Sequence, residues 1–369
     1  VKRTVSEDRL MGIALLALAL VLQEPRVVPD RVDCGRCRIQ LTQVAVLESP
    51  GLVEWPQSMS EDSQGRYFVT QPNRRELPIV FDASGRQVAV LGASGEGPGE
   101  FRNAALIAVD PRTDTVFVTD WATSRLSVFS PSLTFVRSVP FPGRARALGV
   151  LRDGRLVAMA SISDRTSVGL PFHVFRRDGL RLSAIGDQRR PYTDQREIFF
   201  LHRLVPSRRG GFWAVPQWGE YRIEHWTATG VRDVHLLRRP GWHIELHSSL
   251  GPANNPAAMD PPPTSHWGIA ETGDGLIWTM SRVGDPGRRS APLDTLRNAE
   301  GQFVVPGDPD RSWDSIVELI DPVRGTLVAS QRFDRRFVLM LPSGKVVWVT
   351  ETDRGIQIQV FALILSRSE

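Results

Sequence analysis

Lysine is almost missing from this 369-residue chain: of 45 basic residues all but Lys2 and Lys345 are arginine. Cysteine is scarcer than chance, with Cys34 and Cys37 alone, and there are three tyrosines. After residue 22 no long apolar run occurs, and helix-forming residues never gather into an extended 3.6-residue period. These shortages exclude a multi-pass membrane protein, a disulfide-dense scaffold and a helical bundle. The net charge is +4 and dispersed among Arg–Asp neighbours, so the stripe that tracks phosphates is lacking and nucleic acid is not an expected partner. What is plentiful is 31 glycines and 27 prolines. With a hydrophobic share of 41%, enough for a core, they predict many short strands and tight turns.

At the N-terminus Lys2, Arg3 and Arg9 precede the apolar run Leu10–Leu22, which resembles an export signal. The run falls short of the roughly 20 residues that span a bilayer. Residues 1–24 are therefore expected to be a cleaved signal or an uncleaved anchor, the latter being the only expected membrane contact. The location follows as periplasmic or secreted. In residues 25–37, expected to be a linker, Cys34 and Cys37 form Cys-x-x-Cys. Haem attachment would need His where Arg38 stands, and zinc would need two distant ligands. A redox pair would open a helix, whereas a strand follows here. In an exported chain a disulfide is the favoured reading.

One unit recurs six times: an apolar stretch, a Gly or Asp turn, then a β-rich strand, around Gly65, Asp114, Gly154, Gly211, Gly275 and Gly344. A second hairpin follows most of the first ones, as in Ile79–Gly92 and Leu126–Val139. Two hairpins make a four-stranded meander, and six meanders predict an all-β, six-bladed β-propeller over residues 38–365. The last unit has only three strands, whereas Arg38–Leu47 is a strand with no unit of its own. Placing it as the outermost strand of the last blade closes the ring, with the cysteine loop at the seam.

The segment Val118–Phe129 is similar to the NHL-repeat pattern, with Asp120 ending one strand and Arg125 beginning the next. Leu91–Phe101, with Gly97, Pro98, Gly99, Glu100 and Phe101, resembles the linker of NHL-like six-bladed propellers exported by bacteria. Both motifs read as structural. Asp120 is expected to accept loop amides or to pair with Arg125. The glycines are expected to form an inter-blade turn, because no Lys-Ser/Thr follows and Pro98 removes an amide.

The resemblance implies an enzymatic alternative, a lactonase, esterase or lyase with calcium or zinc in the central channel. The expected innermost strands are too apolar to favour such a cage, and no catalytic residue is assigned. The weak metal candidates are His243, His247 and His266. Two long insertions, 240–265 and 283–313, suit binding elements, and Trp218, Trp242 and Trp313 are expected to be exposed in or near them. Trp213 and Trp278 are expected to pack between blades. Arg203, Arg222 and Arg282, beside strand ends, are expected to line the channel mouth and favour an anion. The functional expectation is a non-catalytic module, without a cofactor, that binds a protein, peptide or carbohydrate partner.

Overall fold

A computed structural model describes residues 24–71, 76–141, 145–162, 170–186, 201–246, 261–287, 312–353 and 355–367. Six antiparallel sheets of four principal strands stand around an axis. Their innermost strands are Ser58–Glu61, Ala104–Val109, Ala145–Val150, His202–Pro206, Ser265–Glu271 and Leu339–Met340, for blades one to six in that order. In blades one to five the four principal strands run outward in chain order, and in blade six the first three do, as the repeated hairpins predict.

Burial explains which stretches read as continuous apolar runs. The second strands of blades one, three and four (Tyr67–Thr70, Leu156–Ala160 and Phe212–Pro216) are buried at every position, because a neighbouring blade covers each face. Outer strands such as Gln87–Val90 are mostly exposed. The core is divided into six clusters, one in each seam between neighbouring blades. Trp213 and Trp278 lie in the seams on either side of blade five, as expected. At the blade-two turn Asp114 takes the positive φ of 53° that glycine supplies elsewhere, and its carboxylate accepts the Ser63 amide of blade one at 2.9 Å.

The ring closes as the sequence predicts. Cys37–Glu48 pairs antiparallel with Gly355–Arg367 and forms the outermost strand of blade six. Leu47 and Ala45 then join the seam between blades six and one, which is built like the other five. The stretch ahead of this strand is more ordered than a linker. Arg26–Val28 adds a parallel fifth strand to the outer edge of blade four, and Val32 bridges to Leu327 of blade five. Residues 26–48 thus lace the rims of blades four, five and six together. The Cys34–Cys37 disulfide closes the corner between the lace and the closing strand, with the Cys37 amide donating to the Cys34 carbonyl at 3.0 Å.

Arg238 pins this lace. Its side chain is fully buried and donates to Glu318 at 2.6 Å, to Asp30 at 3.0 Å and to the Pro29 carbonyl at 3.0 Å. Glu318 also accepts the buried Tyr221 hydroxyl at 2.9 Å.

Candidate functional site

The innermost strands of blades three to six begin at one end of the ring, and their first residues surround a cavity of about 340 Å³ on the axis. Arg146 comes from blade three, Arg203 from blade four, Arg282 from the second strand of blade five, and Arg336 from the approach to blade six. Gln57 and Gln217 supply amides, and Trp55 and Trp267 supply ring surface. Among the described residues, the charged groups lining this mouth are all arginines.

Tryptophan faces hold these guanidinium groups. The Cζ atoms of Arg282 and Arg203 lie 3.6 and 4.5 Å from the Trp267 ring centre, that of Arg336 lies 4.2 Å from Trp55, and that of Arg146 lies 5.2 Å from Trp121. Arg282 is further fixed by donating from Nε to the Phe337 carbonyl at 3.0 Å. The Arg203 Nε is enclosed and has no hydrogen-bond partner among the described residues, and desolvation pushes its pKa down to about 10.

The motif carboxylate of blade two reaches this site indirectly. Asp120 accepts the amides of Arg102 and Ala122 at 2.8 Å each and of Thr123 at 3.1 Å, which fixes the turn that carries Trp121 and so backs Arg146. Arg125 instead donates to the Glu96 carbonyl. In the linker the Glu100 carboxylate accepts the Gly97 amide at 2.7 Å, Gly99 has φ +75°, and Phe101 is buried against Phe129 at 6.0 Å. Pro98 lies within this inter-blade turn, as expected.

Other sequence expectations are corrected. Arg222 lies on the third strand of blade four, two strands off the axis, and pairs with Glu224 at 3.2 Å rather than lining the mouth. Burial alone would raise the Glu224 pKa, but Arg222, His202 and Arg232 hold it below the usual carboxylate range. Trp313 is buried at 6% exposure, because it begins the third strand of blade five and is covered there. Trp218 and Trp242 are partly buried, and Trp242 packs against Tyr221 with ring centres 5.9 Å apart.

His243 and His266 do come together, with rings stacked 5.5 Å apart beside Tyr221. His266 shares a 2.8 Å hydrogen bond with Ser281, and His243 donates to the Gly219 carbonyl at 3.0 Å. Burial drives both pKa values down, and the two rings lie beside Tyr221, a member of the core between blades four and five. His247 lies outside the described residues, as do the run Leu10–Leu22 and most of both insertions. The described ends of those insertions show where they leave. The first runs from Arg238 on the outer strand of blade four to Ser265, which pairs with Arg282 on blade five, and the second joins Gly284 to its partner Trp313 within blade five, both at the end that carries the arginine mouth.

Sequence reading missed an acidic group on the rim of blade five. Ligand oxygens of Asp285, Asp314 and Asp334 lie within 4.8 Å of one another, a donor set that suits a hard cation such as calcium better than zinc. Burial raises the Asp314 pKa and Asp285 adds to the rise, although Arg332 pairs with Asp314. These residues are dispersed along the chain without metal-loop spacing, so only the turns at the ends of blade-five strands bring them together.

Comparison with known proteins agrees with this architecture. The profile of DUF5128, described as a 6-bladed beta-propeller, matches residues 58–145. A putative exported protein of Bacteroides fragilis superposes with a TM-score of 0.60 at 11% identity, covering 94% of this chain and 99% of that one. A member of the DUF4221 family from Bacteroides vulgatus gives a TM-score of 0.60 at 8% identity, covering 89% and 99%. No curated protein matches the chain. The class that fold and site define is the six-bladed β-propeller with a basic channel mouth.

Proposed function

We propose that this chain is an extracytoplasmic, NHL-like binding propeller that grips an anionic partner at its channel mouth without transforming it. The observation that carries the reading is the lining itself. Four arginines converge on the axis where a metal-dependent propeller enzyme would place carboxylates, amides or neutral histidines. A ring of guanidinium groups repels a divalent cation and attracts an oxyanion. Export is supported by the signal-like N-terminal residues, by the disulfide and by the likeness in fold to the Bacteroides fragilis protein described as a putative exported protein. Protein, peptide and carbohydrate partners are all reachable from this mouth provided they present acid groups to it.

The enzyme reading is tested by incubating the purified protein with aldonolactones and aryl esters, with and without added calcium or zinc. The binding reading expects no turnover in any condition. Metal-dependent turnover abolished by Arg146→Glu would overturn it.

A further inference from the structure

Asp285, Asp314 and Asp334 stand where three segments of blade five converge. Asp285 follows the second strand of the blade, Ile277–Gly284, and Asp314 lies on the third, Trp313–Asp321, so the two sit at the ends of the long insertion between those strands. Asp334 follows the fourth strand, Thr326–Phe333, on the crossing into blade six. One ligand oxygen from each lies within 4.8 Å of the other two. Two oxygens that are each about 2.4 Å from one calcium ion are at most about 4.8 Å apart, so a single ion can touch all three.

Asp314 is the buried member of the group, at 2% exposure. Its Oδ2 accepts from Arg332 Nε, and the same guanidinium donates to the Gly284 carbonyl at 2.7 Å. Its Oδ1 is enclosed and accepts no hydrogen bond from the described residues. A buried carboxylate oxygen left in that state is costly, and a donor or a cation normally satisfies it. Asp285 meets Asp314 closely enough to act on it as a hydrogen-bonding carboxyl as well as a charge, yet Asp285 and Asp334 can only accept when ionised. Asp285 is half-buried and Asp334 exposed, so an ion can enter from their side. Arg332 balances one of the three negative charges. Arg335 and Arg336 follow Asp334 but lie over the rings of Trp348 and Trp55, at 4.6 and 4.2 Å, which leaves two charges for a divalent ion to match.

We propose that Asp285, Asp314 and Asp334 form a calcium site at the neck of the blade-five insertion, with water completing the coordination. An all-oxygen donor set favours a hard cation over zinc. Calcium tolerates the irregular placement of donors drawn from three segments, whereas magnesium demands near-octahedral geometry and holds its own waters. The ion ties both ends of the insertion to the crossing that carries Arg336, two residues beyond Asp334, to the channel mouth. It lies outside the lining of that mouth and is independent of the anion reading. With Arg332 beside it the site is of the weak kind found in extracellular modules, with a Kd of about 0.1–1 mM.

The test is isothermal titration and thermal unfolding of the purified full chain, stripped with chelator and then given calcium, magnesium or zinc chloride at constant ionic strength. Calcium is expected to bind one to one and to raise the melting temperature in a saturable way, with magnesium binding at least tenfold more weakly. Asp314→Asn also removes the partner of Arg332 and can unfold the chain, so the informative variants are Asp334→Asn, at an exposed position, and Asp285→Asn. Each is expected to weaken calcium binding by about tenfold or more, with circular dichroism confirming the fold, while Asp353→Asn, an exposed acid in the last hairpin, leaves it unchanged. The proposal is overturned if calcium does no more than sodium chloride of equal ionic strength, if magnesium or zinc binds as tightly, or if Asp334→Asn and Asp285→Asn bind calcium like the parent chain.

Discussion

Asp120 shows how one side chain can serve the fold and the site at once. Its two oxygens accept three backbone amides, and the turn so fixed presents Trp121 to Arg146. Asp120→Ala should cost about 2 kcal/mol in urea unfolding, the range for hydrogen bonds to a charged acceptor. It should also loosen anion binding by way of Trp121, while unchanged stability would show that the amides find other partners. At this scale sequence reading succeeded where a motif implied local hydrogen bonds and failed where position across a sheet mattered. Arg203 and Arg222 both stand beside strand ends in the same unit, yet the first is on the innermost strand and the second two strands out. Telling them apart requires assigning strand order within the blade, which a list of residues near turns does not do. Trp313 was misread for a related reason, since its polar neighbours Ser312 and Asp314 are themselves buried.

Among the elements, the N-terminal lace decides how the ring is held. The closing strand was legible because a last unit of three strands and an orphan strand are complementary deficits. The lacing of Arg26–Val28 onto blade four was not, because three residues carry no periodicity and their anchor, Arg238, is some 200 positions away in the chain. Glu318→Gln removes the buried counter-charge of Arg238 and should lower stability by about 3–5 kcal/mol. Replacing both by methionine should recover much of that loss, since a buried pair exchanged for apolar volume is often close to neutral. A double variant as unstable as the single one would mean that the lace depends on the ion pair itself. The disulfide adds less, about 2 kcal/mol, because its loop is so short.

For the molecule as a whole, pH and charge are the informative variables. Burial lowers the pKa of His225, His235, His243 and His266 in the folded protein. Their neutral forms support the fold fully above the unfolded value of about 6.5, and as pH falls below it the unfolded chain takes up protons that the folded chain refuses. The urea midpoint should therefore fall between about pH 7.5 and 5.5, before the carboxylates titrate. A midpoint that rises on acidification would contradict the burial of these rings. At the mouth, arginines brought near one another repel, and an anionic partner bound there would offset that repulsion. The most direct measurement is the melting temperature of Arg203→Met beside the parent chain, both without added polyanion. If the mouth is built for an anion, removing this desolvated guanidinium leaves the melting temperature equal or higher. A fall of several degrees would show that Arg203 holds the fold together, and the arginine ring would then be structural rather than a site.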